Sequence, residues 1–215
     1  MLQNEQVIAK INQLKKGKYC DVIIEREFAG HKYQLCFLTE DCAANEQLMK
    51  LMSEWRKKHE YWFQAQFSVS VERTTAWFRK KVIATEDRLL FMIMIDGKYI
   101  GHVGLFRFDF DKATCEIDNI VRGEDQVYPG LIGDSVLALM QWGKETLGLK
   151  NYTLQTTSDN ERALRLYQRL GFVETKRIPL IYQKTEEGGE WVEVPVGHNK
   201  PIERYDVFME LNKNL

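Results

Sequence analysis

Seven consecutive apolar residues, Leu89 to Ile95, run directly into Asp96-Gly97 and a second strand-like stretch, Lys98 to Phe108, that contains Gly101 and Gly104. Seven residues are far too few to cross a bilayer. An unbroken apolar strand has both faces buried, so it belongs inside a sheet covered on both sides. Asp-Gly between two such runs marks a tight hairpin. The run therefore predicts a buried strand joined by a hairpin to its neighbour.

The residues downstream supply further elements. Asp109 to Lys112 reads as a turn and Ala113 to Val121 as a third strand, with Glu116, Asp118 and Ile120 alternating against Cys115, Ile117 and Asn119. A polar stretch, Arg122 to Pro129, leads through Gly130 into an apolar helical pattern at Leu131, Ile132, Val136, Leu139, Met140 and Leu147, closed by Gly148. Tyr152 to Thr157 is the next strand. Ser158-Asp159-Asn160 starts a helix that runs to Leu170 before Gly171. Phe172 to Lys184 and Glu203 to Leu211 read as paired final strands. Between them, a hairpin turning at Glu187 to Glu190 is expected to project, with Trp191, Val194 and Val196 in need of cover from the cleft or a second subunit.

Upstream, residues 3–15 have helical spacing, and 19–28 and 31–38 look extended. Thr39-Glu40-Asp41 is a plausible start for a helix reaching Lys57. Residues 59–70 are aromatic and irregular, and Ser70 opens a helical stretch through Ile83. The expected organisation is an N-terminal extension, 1–30, and one catalytic-sized domain, 31–215. No internal repeat or linker breaks the pattern.

Thirty basic residues against 31 acidic ones argue against a polyanion-binding chain, so no nucleic-acid partner is expected. Cys20, Cys36, Cys42 and Cys115 have neither C-x-x-C nor zinc-ligand spacing, so reduced thiols and no metal are expected. The segment MLQNEQVIAKINQLKK lacks the apolar core of a signal peptide. A cytoplasmic protein with no membrane partner is the expectation.

Two features carry chemistry. A loop ending at a helix N-terminus presents unpaired N–H groups and a positive dipole end, which suits a pyrophosphate. Arg122, Val127, Tyr128, Pro129, Gly130, Leu131, Ile132, Gly133 and Asp134 make up that stretch. Taken alone it also fits an ordinary strand-to-helix connection. Tyr167 shares a helical face with Ala163 and Leu170, so it points into either the core or a cleft.

Together these features resemble the GNAT acetyltransferase superfamily. The cofactor loop of that family, roughly Arg/Gln-x-x-Gly-x-Gly/Ala, corresponds to Arg122-Gly123 and Tyr128 to Asp134, although Ile132 stands where a small residue is usual. The family pattern Asn-x-x-Ala-x-x-Leu-Tyr-x-x-x-Gly-Phe is matched in full by Asn160, Ala163, Leu166, Tyr167, Gly171 and Phe172. The run CFLTEDCAA also resembles the first strand and helix start of ribosomal-protein and amino-sugar acetyltransferases.

The resemblance implies an α/β fold, in the broad α+β sense, with a mixed central sheet flanked by helices. It implies acetyl-CoA as cosubstrate and direct transfer to an amine. Tyr167 then protonates the leaving thiolate. Glu116, or else Asp118, receives the amine's proton, with His102 a further candidate. Backbone N–H groups near Ile120 and Val121 hold the thioester oxygen. Asn160 and Ala163 join the cofactor site, and Arg162, Arg165 and Arg169 offer charge to the adenosine 3′-phosphate. A small amine, such as a nucleotide-linked amino sugar, is the first expected acceptor. A protein N-terminus or lysine comes next, and a non-catalytic CoA-binding module is the third reading. Antibiotics, polyamines and amino acids complete the acceptor classes. A homodimer is the expected assembly.

Overall fold

Burial alternates by face along the central run. Leu89, Phe91, Ile93 and Ile95 enter one core, and Leu90 and Met92 enter the other. That division explains why the run shows no polar alternation. The computed structural model describes residues 4–19, 21, 23–125, 128–199 and 201–212.

The helices are α1 (Asn4–Lys15), α2 (Glu46–Lys58), α3 (Val71–Trp77), α4 (Leu131–Leu147) and α5 (Glu161–Arg169). The strands are β1 (Ile23–Phe28), β2 (His31–Phe37), β3 (Ala65–Phe67), β4 (Leu89–Ile95), β5 (Lys98–Asp109), β6 (Thr114–Arg122), β7 (Asn151–Thr157), β8 (Phe172–Thr185), β9 (Gly188–Glu193) and β10 (Arg204–Leu211). They form one 10-stranded sheet in the order β1-β2-β4-β5-β6-β7-β10-β8-β9-β3. The β6–β7 pair is parallel and the other pairs are antiparallel.

Helices α1, α4 and α5 cover one face through Val7, Ile11, Leu131, Leu139 and Tyr167. Leu48, Met52 and Trp55 of α2, with Phe78 and Val82, cover the other. No helix among the described residues is long and apolar enough to cross a membrane. The expected 96–97 turn is present, with Asp96 at φ 49° and Gly97 at φ 72°, the left-handed pair of a type I′ hairpin. The final strands pair as expected, Arg204 opposite Leu180 through Leu211 opposite Phe172. Lys15 of α1 donates to the carbonyls of Val82 (2.9 Å), Ile83 and Thr85, where a helical segment ends.

Several local expectations are corrected. Thr39 does not start the long helix, because its hydroxyl is bonded to the Asp41 carboxylate. A 3-10 turn, Glu40–Ala44, follows it, and Asn45 caps α2 by accepting the Leu48 N–H at 3.1 Å. The stretch from Ser70 to Ile83 is two segments, α3 and a π-helical continuation over Phe78–Ile83.

The C-terminal hairpin turns at Glu186-Glu187, one step before Gly188-Gly189, and the two glycines lie inside β9. Their role is close approach. A Cβ at Gly188 would overlap the Gln66 carbonyl, and one at Gly189 would overlap the Tyr182 hydroxyl. The hairpin does not project freely. Part of the irregular 59–70 stretch forms β3 and pairs with β9, Ala65 opposite Glu190. Arg204 lies over the Trp191 ring at 4.2 Å, Val194 is buried, and Val196 is 89% exposed.

Candidate functional site

The parallel pairing of β6 with β7 begins at Thr114–Asn151 and stops at Glu116–Thr153. Beyond Glu116 the β7-facing edge of β6 has no strand partner among the described residues, and a cleft of about 1090 Å³ opens there. It reaches from Gly130 and Phe28 at one end to Phe67, Arg73 and Trp77 at the other.

A β-bulge shapes the β6 wall. Asn119 has φ 52°, and the register with β5 shifts between His102–Val121 and Gly104–Asp118. The extra residue breaks the period-two alternation. Ile120 packs on the α4 side and Val121 on the α2 side, so Ile120 does not share a face with Glu116 and Asp118 as expected. His102 donates its Nδ1–H to the Asn119 carbonyl at 2.8 Å. Burial lowers its pKa to about 4, so the ring is neutral and braces the bulge.

At the cofactor end, Gly130 caps α4 with φ 95° and offers no side-chain cap; the Leu131 N–H donates to the Tyr128 carbonyl at 3.1 Å, and the amides of Ile132 and Gly133 are left to the cleft. A Cβ there would meet the Phe28 ring at 3.2 Å. Gly133 serves packing, since its Cβ position faces Leu166 of α5 at 3.1 Å. The carboxylate of Asp134 accepts from the Tyr33 hydroxyl at 2.5 Å, which turns it toward β2. Tyr128 bonds His31 (2.9 Å). Arg122 donates to the carbonyls of Glu124 (3.0 Å) and Asp125 and so shapes the loop. Pro129, Leu131 and Ile132 line the cleft, and Val127 lies outside the described residues.

Asn160 caps α5, with its side-chain oxygen accepting the Ala163 N–H at 3.2 Å, and both residues line the cleft. Arg162 and Arg169 line it as well, whereas Arg165 is paired with Glu161 at 2.8 Å. Tyr167 is 6% exposed, and its hydroxyl has no hydrogen-bond partner among the described residues. Burial, then the charge of Asp118, pushes its pKa well up, so it is a neutral phenol at every physiological pH.

The two β6 carboxylates differ in their partners. Arg107 Nη1 and Gln155 Nε2 both donate to Oε2 of Glu116, each at 2.9 Å, which leaves Oε1 without a donor among the described residues. Burial raises the Glu116 pKa, Arg107 opposes the rise, and Asp118 and Asp206 add to it. Asp118 has both oxygens engaged, by Arg88 (2.8 Å) and by the backbone and side-chain amides of Asn119 (2.7 Å each).

Sequence reasoning missed the rest of this wall. Gln155, Arg107 and Asp206 come from three strands and meet only through the sheet register. Asp206 is 2% exposed and accepts from Gln64 at 3.0 Å. Burial and then Glu193 raise its pKa to about 6. A polar residue amid the apolar alternation of Tyr205, Val207 and Met209 was its only signal.

This cleft and its strand split can now be set beside known proteins. The acetyltransferase (GNAT) domain family matches residues 40–173, more than half of the chain. The chain belongs to the GNAT acetyltransferase family. Spermidine N(1)-acetyltransferase of Escherichia coli K12 is 28% identical over 112 residues, 52% of this chain and 59% of that protein. The match thus spans well under two thirds of that relative's length. Human alpha/beta-tubulin-N-acetyltransferase 9 is 32% identical over 74 residues, 34% of this chain and 36% of that protein. The crystal structure of spermidine N-acetyltransferase from Vibrio cholerae in complex with CoA and spermine has a TM-score of 0.60 at 17% identity, covering 83% of this chain and 94% of that one. A probable GNAT-family acetyltransferase from Chromobacterium violaceum has a TM-score of 0.64 at 14% identity, covering 93% and 90%. Both structural likenesses speak to the fold. The expected mixed sheet flanked by helices is the one found.

Proposed function

We propose that the chain is an acetyl-CoA-dependent N-acetyltransferase that acts directly on a small-molecule amine. The observation that carries this reading is the split between β6 and β7, with the open α4 N-terminus at one end and the Tyr167 hydroxyl in the cleft. Acetyl-CoA supplies the activated acetyl thioester. The open amides after Gly130 fit its pyrophosphate, and the exposed Arg162 and Arg169 fit a phosphate at the cleft mouth. The edge of β6 left unpaired by β7 near Ile120 fits a developing oxyanion, whereas Val121 is in register with His102 of β5.

Glu116 accepts the amine's proton. Its raised pKa makes it a stronger base than an ordinary carboxylate, and Oε1 is its open atom. Asp118, with both oxygens committed, holds Arg88 and the bulge and is the weaker base candidate. Tyr167 donates the proton that the departing thiolate needs. The aromatic walls, Phe63, Phe67, Trp77 and Phe106, favour a small acceptor over a protein segment. A nucleotide-linked amino sugar is one acceptor of that kind, and the name of the Escherichia coli relative adds polyamines. A homodimer belongs to the same reading, supported by exposed Val196 and by a Vibrio cholerae neighbour described as dodecameric.

The test is a panel of amines with acetyl-CoA, read by free-thiol release. Saturable, amine-dependent release is expected. CoA binding with no release for any amine would reduce the chain to a CoA-binding module.

A further inference from the structure

Four arginines, Arg56, Arg73, Arg88 and Arg107, line the acceptor end of the cleft. Three have carboxylate partners: Arg73 with Glu187, Arg88 with Asp118 (2.8 Å) and Arg107 with Glu116 (2.9 Å). Arg56 has no ion pair among the described residues. Its guanidinium carbon lies over the Phe63 ring, 3.4 Å from the centroid, and 5.1 Å from that of Phe67. One Nη donates to the Ala65 carbonyl at 2.5 Å. The remaining N–H donors of a five-donor fork have no acceptor among the described residues. Burial lowers its pKa to about 10, so it stays charged at neutral pH.

The charge of Glu60 offsets part of the burial cost, but no carboxylate among the described residues forms an ion pair with Arg56, so a ligand anion would stabilise it. A planar guanidinium held on two aromatic rings is preorganised for a carboxylate or a phosphate. Arg56 faces the 63–67 segment, while its helix neighbours Trp55, Lys58 and His59 bond the 122–125 loop. The strand of the 63–67 segment is at one edge of the sheet, whereas Gly130 touches Phe28 of β1 at the other. A polycation would meet one guanidinium that has no ion pair among the described residues, beside three that are paired with carboxylates.

We propose that Arg56, seated on Phe63 and Phe67, binds a negatively charged group of the acceptor, so that the acetylated amine belongs to a molecule that also carries a carboxylate or a phosphate. This rests on the acyltransferase reading above. Glu116 and Asp206 then face the ammonium end and Arg56 the anionic end of one substrate.

The experiment compares matched amines on the full chain: glucosamine 6-phosphate with glucosamine, alanine with alaninamide, and spermidine as the polycation. The anionic member of at least one pair is expected to win about tenfold to a hundredfold in kcat/KM, the worth of one charge-assisted contact. The phosphate and carboxylate pairs show which anion is used. Arg56→Met should erase that preference by raising KM for the anionic member far more than for the neutral one, with CoA affinity unchanged. Arg56→Lys should retain part of it. A preference for spermidine or the neutral amines overturns the inference and leaves the acyltransferase reading intact. Equal losses on both members of a pair in Arg56→Met also overturn it, since a merely structural arginine would behave so. No CoA binding and no thiol release would overturn both readings.

Discussion

The two ends of the cleft are made of different material. At the cofactor end the contacts on offer are backbone: the amides after Gly130, the unpaired edge of β6, and a helix dipole. At the acceptor end they are side chains, Glu116, Gln155, Asp206, Arg107 and Arg56, from five elements. Backbone groups are placed by the fold itself and depend on few side chains. Side-chain groups are placed by packing and can be exchanged one at a time without disturbing the sheet. One fold can therefore keep a single donor while its acceptor changes, and each end should fail in its own way when altered.

The largest effect is expected at the backbone end. Gly130→Val puts a β-branched residue at φ 95° with its Cβ 3.2 Å from the Phe28 ring, in front of the open amides. CoA affinity should fall roughly a thousandfold or more, from strain plus steric exclusion. Calorimetry measures this directly. Unchanged affinity would place the pyrophosphate elsewhere and dissolve the contrast between the two ends.

Tyr167 stands at the seam. Tyr167→Phe should lower kcat about tenfold to a thousandfold while acceptor KM and CoA affinity hold, because the proton is needed only as the thiolate forms. A wild-type kcat, with chemistry shown to limit the rate, would make Tyr167 a packing residue against Phe172.

On the side-chain end, Glu116→Gln should lower kcat/KM about tenfold to a hundredfold without changing CoA affinity. The deficit should widen as pH falls from about 9 to about 7, where more of the acceptor is ammonium. If Asp118→Asn is crippled and Glu116→Gln is not, the base is the other carboxylate. The present geometry expects Asp118→Asn to act through Arg88 and the Asn119 bulge.

The same contrast decides what could be read without coordinates. Every strand and helix from Leu89 to Phe172 was legible, because hairpin signals, caps and apolar periods are local. Gly130, Asn160 and Tyr167 were legible because backbone-built sites leave short motifs. The bulge at Asn119 was not, since it depends on register with β5 and has no marker of its own beyond an Asn that tolerates φ 52°. Strand β3 was hidden for a similar reason. Three residues gain strand geometry only from β9, about 120 positions away, and the glycines that permit that approach read as a turn. Arg56 and Asp206 are charged residues in ordinary amphipathic contexts, and only the fold turns them into one wall.

The smallest effect concerns stability, and it tests whether Asp206 is kept for the acceptor at a cost to the fold. Burial, reinforced by Glu193, raises its pKa to about 6 from an ordinary 3.8. Below about pH 4 the native and unfolded chains both hold this proton, and the group contributes nothing to the pH dependence. Between about 4 and 6 the native chain holds it and the unfolded chain has lost it. Above about 6 the native chain carries the full penalty of a buried anion, so stability falls as pH rises through this window. Asp206→Asn removes that penalty and keeps an acceptor for Gln64. It should melt with the wild type near pH 4. Near pH 7.5 it should be more stable by about 2 kcal/mol, a rise of roughly 5 °C in Tm for a chain of this size. Acceptor KM should rise in the same variant while CoA affinity does not. A variant less stable than wild type near pH 7.5 would show that Gln64 and Arg107 more than offset the burial. Asp206 would then be a structural carboxylate, and the acceptor end would rest on Glu116 and Arg56 alone.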